Sequence, residues 1–165
     1  MIIPAQTEAD RDLLLNYLAE KIGEQPRDIV GDMPFHIIGA VRDNRLLAVI
    51  CFLNFRRQSI EFHLTVAPGA LSRDEIRRLF AYPFEQLGCL RLWCIIRRNN
   101  KPARLGAERL GFKVLGVLND EFGPKRDGIL YSMRRADCVW LKAREVRKSG
   151  SRQVVAISQS HELER

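Results

Sequence analysis

Apolar residues along the chain recur at two spacings, and the places where one spacing gives way to the other divide it into elements. Leu14, Leu15, Leu18 and Ile22 follow helical spacing behind Thr7, whose side-chain oxygen suits an N-cap, which predicts a helix from about Glu8 to Ile22. Gly23 to Pro34, with two prolines and two glycines, reads as a loop, either the border of an opening or a plain connector. Phe35–Val41 and Leu46–Phe55 are β-rich runs on either side of the polar turn Arg42-Asp43-Asn44-Arg45, the pattern of an antiparallel hairpin. Ile60 to Val66 alternates with a period of two, Ile60, Phe62, Leu64 and Val66 pointing one way and Glu61, His63 and Thr65 the other.

Pro68-Gly69-Ala70 turns the chain, and Ser72-Arg73-Asp74-Glu75 has the spacing of a capping box. The helix it opens carries Ile76, Leu79, Phe80, Phe84 and Leu87 on one face; Pro83 should kink it and Gly88 end it. Six of the seven residues from Leu90 to Ile96 are apolar, as in a short strand covered on both faces. Asn100 caps the next helix, Pro102 is tolerated in its first turn, and Gly111-Phe112 closes it. Two more strands, Lys113–Leu118 and Ile129–Met133, flank the turn-rich loop NDEFGPKRDG. Beyond Asp137 the pattern weakens: Trp140 and Leu141 could anchor a short helix, and residues 142–165 hold six Lys or Arg against three Glu, which reads as a basic tail behind a single domain over 1–141.

The charge distribution adds a partner class without choosing a partner. The net charge of +7 arrives largely as the pairs Arg56-Arg57, Arg77-Arg78, Arg97-Arg98 and Arg134-Arg135, a surface that attracts acidic proteins, nucleic acid or anionic cofactors, or is simply solvated. Nucleic-acid binding has this charge behind it but no recognised motif and few interleaved aromatic residues. Cys51, Cys89, Cys94 and Cys138 are scattered, with no C-x-x-C pair and no neighbouring histidines, so reduced buried thiols are expected and no metal site. The first ten residues lack a basic segment followed by an apolar one, and the longest apolar run, Leu46–Leu53, falls well short of the ~20 residues a membrane span needs. A soluble cytoplasmic protein is the expectation.

Two groups of side chains could carry chemistry. Glu61 and His63, about 7 Å apart along one strand face, are acid/base equipment on a rigid element, or else an ordinary polar strand face. Arg97, Arg98, Lys101 and Arg104 crowd the positive end of a helix dipole, where anionic groups are normally favoured, so either they reach into water or an anion sits among them.

The order of elements, together with Asn100, the ending Glu108-Arg109-Leu110-Gly111-Phe112, Phe84-Glu85-Gln86-Leu87-Gly88 before the strand, Gly116-Val117-Leu118 after it and Leu130-Tyr131-Ser132-Met133 near the end, resembles the GNAT superfamily of acyl-CoA N-acyltransferases. Within it the residues resemble the branch that acetylates protein N-termini, including those of ribosomal proteins. The likeness spans roughly residues 5–141. It implies an α+β fold: a mixed, mostly antiparallel sheet of about six to seven strands, splayed between the fourth and fifth and flanked by about four helices, with acetyl-CoA wedged in the V. The last backbone groups of the fourth strand, up to Val66, would then hold the thioester carbonyl, and Glu61 or His63 would be the base that deprotonates the amine. Tyr131 is a candidate general acid, or simply a residue at home in a β-strand. Gly69, Ser72, Arg73, Asn100, Lys101 and Arg104 would line the cofactor.

The chain departs from that branch in two places. Ala103 stands where the branch has Ser. The segment Val66-Ala67-Pro68-Gly69-Ala70-Leu71-Ser72-Arg73 is about four residues shorter than a glycine-rich pyrophosphate loop and keeps only Gly69. Arg73 and the Arg97, Arg98, Lys101 and Arg104 cluster would have to replace amide contacts by charge. The alternative expectation is a GNAT-fold interaction or assembly module, for example a bacteriophage virion component, that binds an acidic protein or nucleic acid through the basic tail.

Overall fold

A computed structural model describes residues 2–67 and 69–142, without the side chains of residues 2–4. Seven strands form one sheet: β1 (Ile2–Pro4), β2 (Phe35–Arg42), β3 (Arg45–Arg56), β4 (Ser59–Val66), β5 (Arg91–Arg97), β6 (Lys113–Leu118) and β7 (Gly128–Arg134). Their spatial order is β1-β2-β3-β4-β5-β7-β6, antiparallel throughout except for the parallel pair β4 and β5. The β2–β3 hairpin turns through Asp43 and Asn44 at φ 50° and 55°, both in the left-handed region that a two-residue turn needs to match strand twist.

Four helices cover the two faces. Helices α1 (Glu8–Ile22) and α2 (Pro26–Val30) lie over one face and bury Leu14, Leu15, Leu18, Ile29 and Val30 against Ile37, Val49, Cys51 and Leu53. On the other face α3 (Arg73–Ala81) and α4 (Lys101–Leu110) enclose Phe62, Phe80, Phe84, Leu92, Cys94, Phe112, Tyr131 and Met133. Period-two alternation therefore sends β4 residues Ile60 and Phe62 into the α3/α4 core and Glu61 and His63 to the α1/α2 side. The four cysteines are free and buried.

The sequence expectations need three corrections. The loop expected from Gly23 to Pro34 contains α2, five residues opened by Pro26 at its first position, too short to show a helical period. Pro83 produces no simple kink. Lacking an N–H, it sits in a π turn over Tyr82–Gln86, which carries α3 on to Gly88 at φ 67°. Among the described residues Trp140 and Leu141 lie in no helix: after β7 the chain makes a 3-10 turn at Arg135–Asp137 and further turns. Trp140 instead bridges two helices, its indole stacked on Phe80 and its Nε1–H donating to Leu110 O at 2.8 Å. The tail lies outside the described residues from 143 onward.

Candidate active site

Strands β4 and β5 pair over three registers only, Ser59 with Arg91, Ile60 with Leu92 and Glu61 with Trp93. Beyond that point β4 continues to Val66 with β3 on its far side, and β5 to Arg97 with β7 on its far side. Among the described residues, the edge of β4 from Phe62 to Val66 thus faces a V with no strand in it. Backbone N–H and C=O groups along such an edge can receive an extended amide-bearing chain.

Glu61 stands where the V opens, and its carboxylate is held from two sides. His63 Nε2 lies 3.3 Å from Glu61 Oε1, while Asn54 Nδ2 donates to Glu61 Oε2 at 3.3 Å. Asn54 is itself oriented by Arg56, whose Nε donates to Asn54 Oδ1 at 2.9 Å. The side chains of Glu61 and His63 are 13 % and 21 % exposed, sheltered yet reachable from solvent. Asn54 has φ 52° beside the register shift between Leu53 and Arg56, and this local bend turns its amide toward the next strand. Sequence reading missed it. A single Asn at the end of an apolar strand run was the available signal, and it needed the bulge to acquire meaning.

Burial pushes the thiols of Cys51, paired opposite His63, and of Cys94, next to Trp93, up to about 12, and the Glu61 charge adds to both. Both stay protonated near neutrality, which removes them as nucleophiles.

Tyr131 is not brought to the Glu61–His63 face. It lies on β7 under α4, fully buried, donating its O–H to Glu108 Oε1 at 2.9 Å and accepting from Arg104 Nε at 3.2 Å. Burial raises its phenol above the usual tyrosine range; Arg104 pulls it back and Glu108 pushes it further up.

At the start of α3 the expected capping box is present. Glu75 Oε2 accepts from both Ser72 N and Ser72 Oγ at 2.8 Å, and Arg42 Nη2 donates to the same oxygen at 2.8 Å. The Ser72 backbone and hydroxyl bonds, with Arg42 added, hold the Glu75 carboxyl down at about 2. Gly69, at φ 68°, has open space around it, and Val66 is exposed at the end of β4. The Arg73 guanidinium lies over the Trp140 ring at 5.5 Å.

The basic cluster after β5 does not project wholly into water: part of its charge is met by partners on other elements. Arg97 donates to Glu24 at 3.1 Å and lies over the Phe122 ring at 4.6 Å, Arg98 donates to Asp127 at 2.9 Å, and Arg104 Nη1 donates to Arg98 O at 3.0 Å. Asn100 caps α4 by accepting from Ala103 N at 3.2 Å, and Lys101 is exposed. No hydrogen bond or ion pair joins Ser72 or Arg73 to Asn100, Lys101 or Arg104 among the described residues, so the cofactor candidates form two groups, one at each helix start.

On the Glu61 side, a cavity of about 480 Å³ opens between the α1–α2 connection and the β6–β7 loop, bordered by Glu24, Asp28, Arg97, Glu121 and Phe122. Gly128 lets that loop approach: a Cβ there would lie 2.6 Å from Ile95 Cγ2 and 3.1 Å from Glu121 Cβ.

Solved structures share this architecture. Spermidine N-acetyltransferase SpeG from Vibrio cholerae in complex with CoA and spermine superposes with a TM-score of 0.64 at 18 % identity, covering 86 % of this chain and 98 % of that one. A chimera of the same enzyme with hSSAT gives 0.64 at 18 % identity over 86 % and 99 %. A GNAT-family protein from Desulfovibrio desulfuricans gives 0.62 at 18 % identity over 81 % and 98 %. No family model matches the sequence, and no curated protein matches it. The chain has the GNAT fold.

Proposed function

We propose that the protein is an N-acyltransferase that moves an acetyl group from acetyl-CoA to an amine. One observation supports this reading above the rest: the β4–β5 pairing stops at Glu61, so an unpaired strand edge and a sheltered, hydrogen-bonded carboxylate–imidazole pair meet at one point. In this reading the pantetheine amides lie along β4 from Phe62 toward Val66, and the thioester carbonyl accepts from a backbone N–H there. The amine enters from the cavity beside Glu24 and Phe122. Glu61, directly or through His63, removes the amine's proton; the nitrogen then attacks the carbonyl carbon, and the C–S bond breaks as the oxyanion collapses. Asn54 positions the Glu61 carboxylate.

The leaving thiolate needs a proton. For Tyr131 to supply it, its O–H must turn from Glu108 into the cleft, and Tyr131→Phe reads that role directly. Gly69, Ser72 and Arg73 at the start of α3, with Asn100, Lys101 and Arg104 at α4, would border the nucleotide end. There Arg73 contributes charge where a glycine-rich loop would contribute amides.

A second reading, a GNAT-fold interaction module for an acidic protein or nucleic acid, is favoured by one feature. The Glu75 carboxylate already occupies Ser72 N at the helix start where a pyrophosphate would bind. Calorimetric titration of acetyl-CoA separates the two. Saturable binding supports the acyltransferase, and no heat at about 1 mM cofactor, the upper end of ordinary enzyme KM values, leaves the interaction module.

A further inference from the structure

Past the acceptor cavity, the end of β5 and the β6–β7 loop enclose a second recess of about 400 Å³, lined by Arg97, Arg98, Asn99, Lys125, Arg126 and Asp127. Four cations meet one carboxylate. Arg98 is neutralised by Asp127 at 2.9 Å, and Arg97 by Glu24 at 3.1 Å, outside the recess. Lys125 and Arg126 have no ion-pair partner among the described residues, and both are exposed.

The loop presents these two charges on a built frame. Phe122 N donates to Arg126 O at 2.9 Å, Arg126 N to Gly123 O at 2.9 Å and Gly123 N to Asp120 O at 3.0 Å, while the Lys125 N–H bonds the Asp120 carboxylate. Arg98 N donates to Asp127 O at 2.9 Å and ties the loop to β5. Like charges gathered this closely repel within a Debye length of about 8–10 Å, and an anion among them turns that repulsion into attraction. Arg97 is four residues past Trp93, the partner of Glu61, which at about 3.3 Å per residue sets the recess roughly 13 Å along β5 from the proposed base.

We propose that this recess binds an oxyanion, a phosphate or carboxylate, carried by the acyl acceptor or by the nucleotide end of acyl-CoA. The anion site stands without the acyl-transfer reading; only the assignment of its source rests on that reading.

The first test titrates inorganic phosphate into the full chain and follows backbone amide and arginine side-chain resonances. Saturable shifts at Arg97, Arg98, Lys125 and Arg126 are expected. The Lys125→Gln/Arg126→Gln variant should bind phosphate at least roughly 10-fold more weakly, and Lys125→Arg should retain affinity. Phosphate binding unchanged in the double variant, or no saturable binding at all, overturns the proposal.

A second arm assigns the source. A roughly 10-fold loss of CoA affinity in the double variant identifies the cofactor's phosphates. Unchanged CoA affinity, with KM raised for an amine bearing a carboxylate but not for its methyl ester, identifies the acceptor. Unchanged values in both measurements count against any role for the site in acyl transfer. A chain that binds phosphate here but never acetyl-CoA keeps the anion site and loses the acyltransferase.

Discussion

Glu61→Gln separates chemistry from scaffold at the mouth of the V. Glutamine has the shape of glutamate and keeps one oxygen to accept from Asn54 and one amide group to face His63, both now at 3.3 Å from the carboxylate. Contacts of that length sit at the weak end of hydrogen bonding, so exchanging them changes stability by about 1 kcal/mol or less. Loss of a general base costs about 100- to 10,000-fold in turnover, roughly 3–5 kcal/mol of barrier. The variant should therefore keep its melting temperature and its acetyl-CoA affinity while kcat falls at least about 100-fold. Release of the CoA thiol, followed with a thiol-reactive dye, is a suitable assay because all four cysteines are buried and Cys51 and Cys94 are held up at about 12. Turnover within about threefold of the parent, with a suitable amine, would show that Glu61 is not the base and that the His63 pairing is structural.

Other perturbations probe the supports of the site. Gly128→Ala places a methyl group 2.6 Å from Ile95 Cγ2 and should shift the β6–β7 loop, lowering stability by about 1–3 kcal/mol in a thermal melt; an unchanged melt would mean that the loop does not pack on β5 as described. Glu75 is held at about 2 against its ordinary 4.5, so its stabilising contribution is full above 4.5 and drains away as the pH falls toward 2. Acid titration of stability in Glu75→Gln should accordingly be flatter than in the parent across that window, and parallel curves would refute the assignment. Tyr131→Phe removes the hydroxyl between Arg104 and Glu108 and should cost about 1 kcal/mol of stability in denaturant unfolding. In the same variant an unchanged kcat ends the general-acid role.

Much of this architecture could be read from local pattern, because its causes are local. The alternation from Ile60 to Val66 assigned Glu61 and His63 to one face, and the Thr7, Ser72 and Asn100 caps each bond the backbone N–H three residues on. What escaped depends on residues far apart in sequence. Arg97 meets Glu24 and Arg98 meets Asp127 across 73 and 29 positions, so a cluster that looked uncompensated is half neutralised by partners that only the sheet order brings in. Asn54 acquires its role from a bulge, a feature that apolar strand residues do not announce. Tyr131 could be placed on a strand by its sequence. That it faces α4 rather than the cleft beside Glu61 follows from the β5–β7 register, which sets Tyr131 opposite Cys94 and Ser132 opposite Trp93.

If the V between β4 and β5 receives acetyl-CoA beside Glu61, amide resonances of the full chain must report it during an acetyl-CoA titration. Saturable shifts are expected from Phe62 to Val66 and at Gly69, Arg73 and Asn100, with β1 to β3 largely silent apart from Asn54. Absence of saturable shifts at about 1 mM acetyl-CoA, or shifts confined to the surface away from β4, would contradict it.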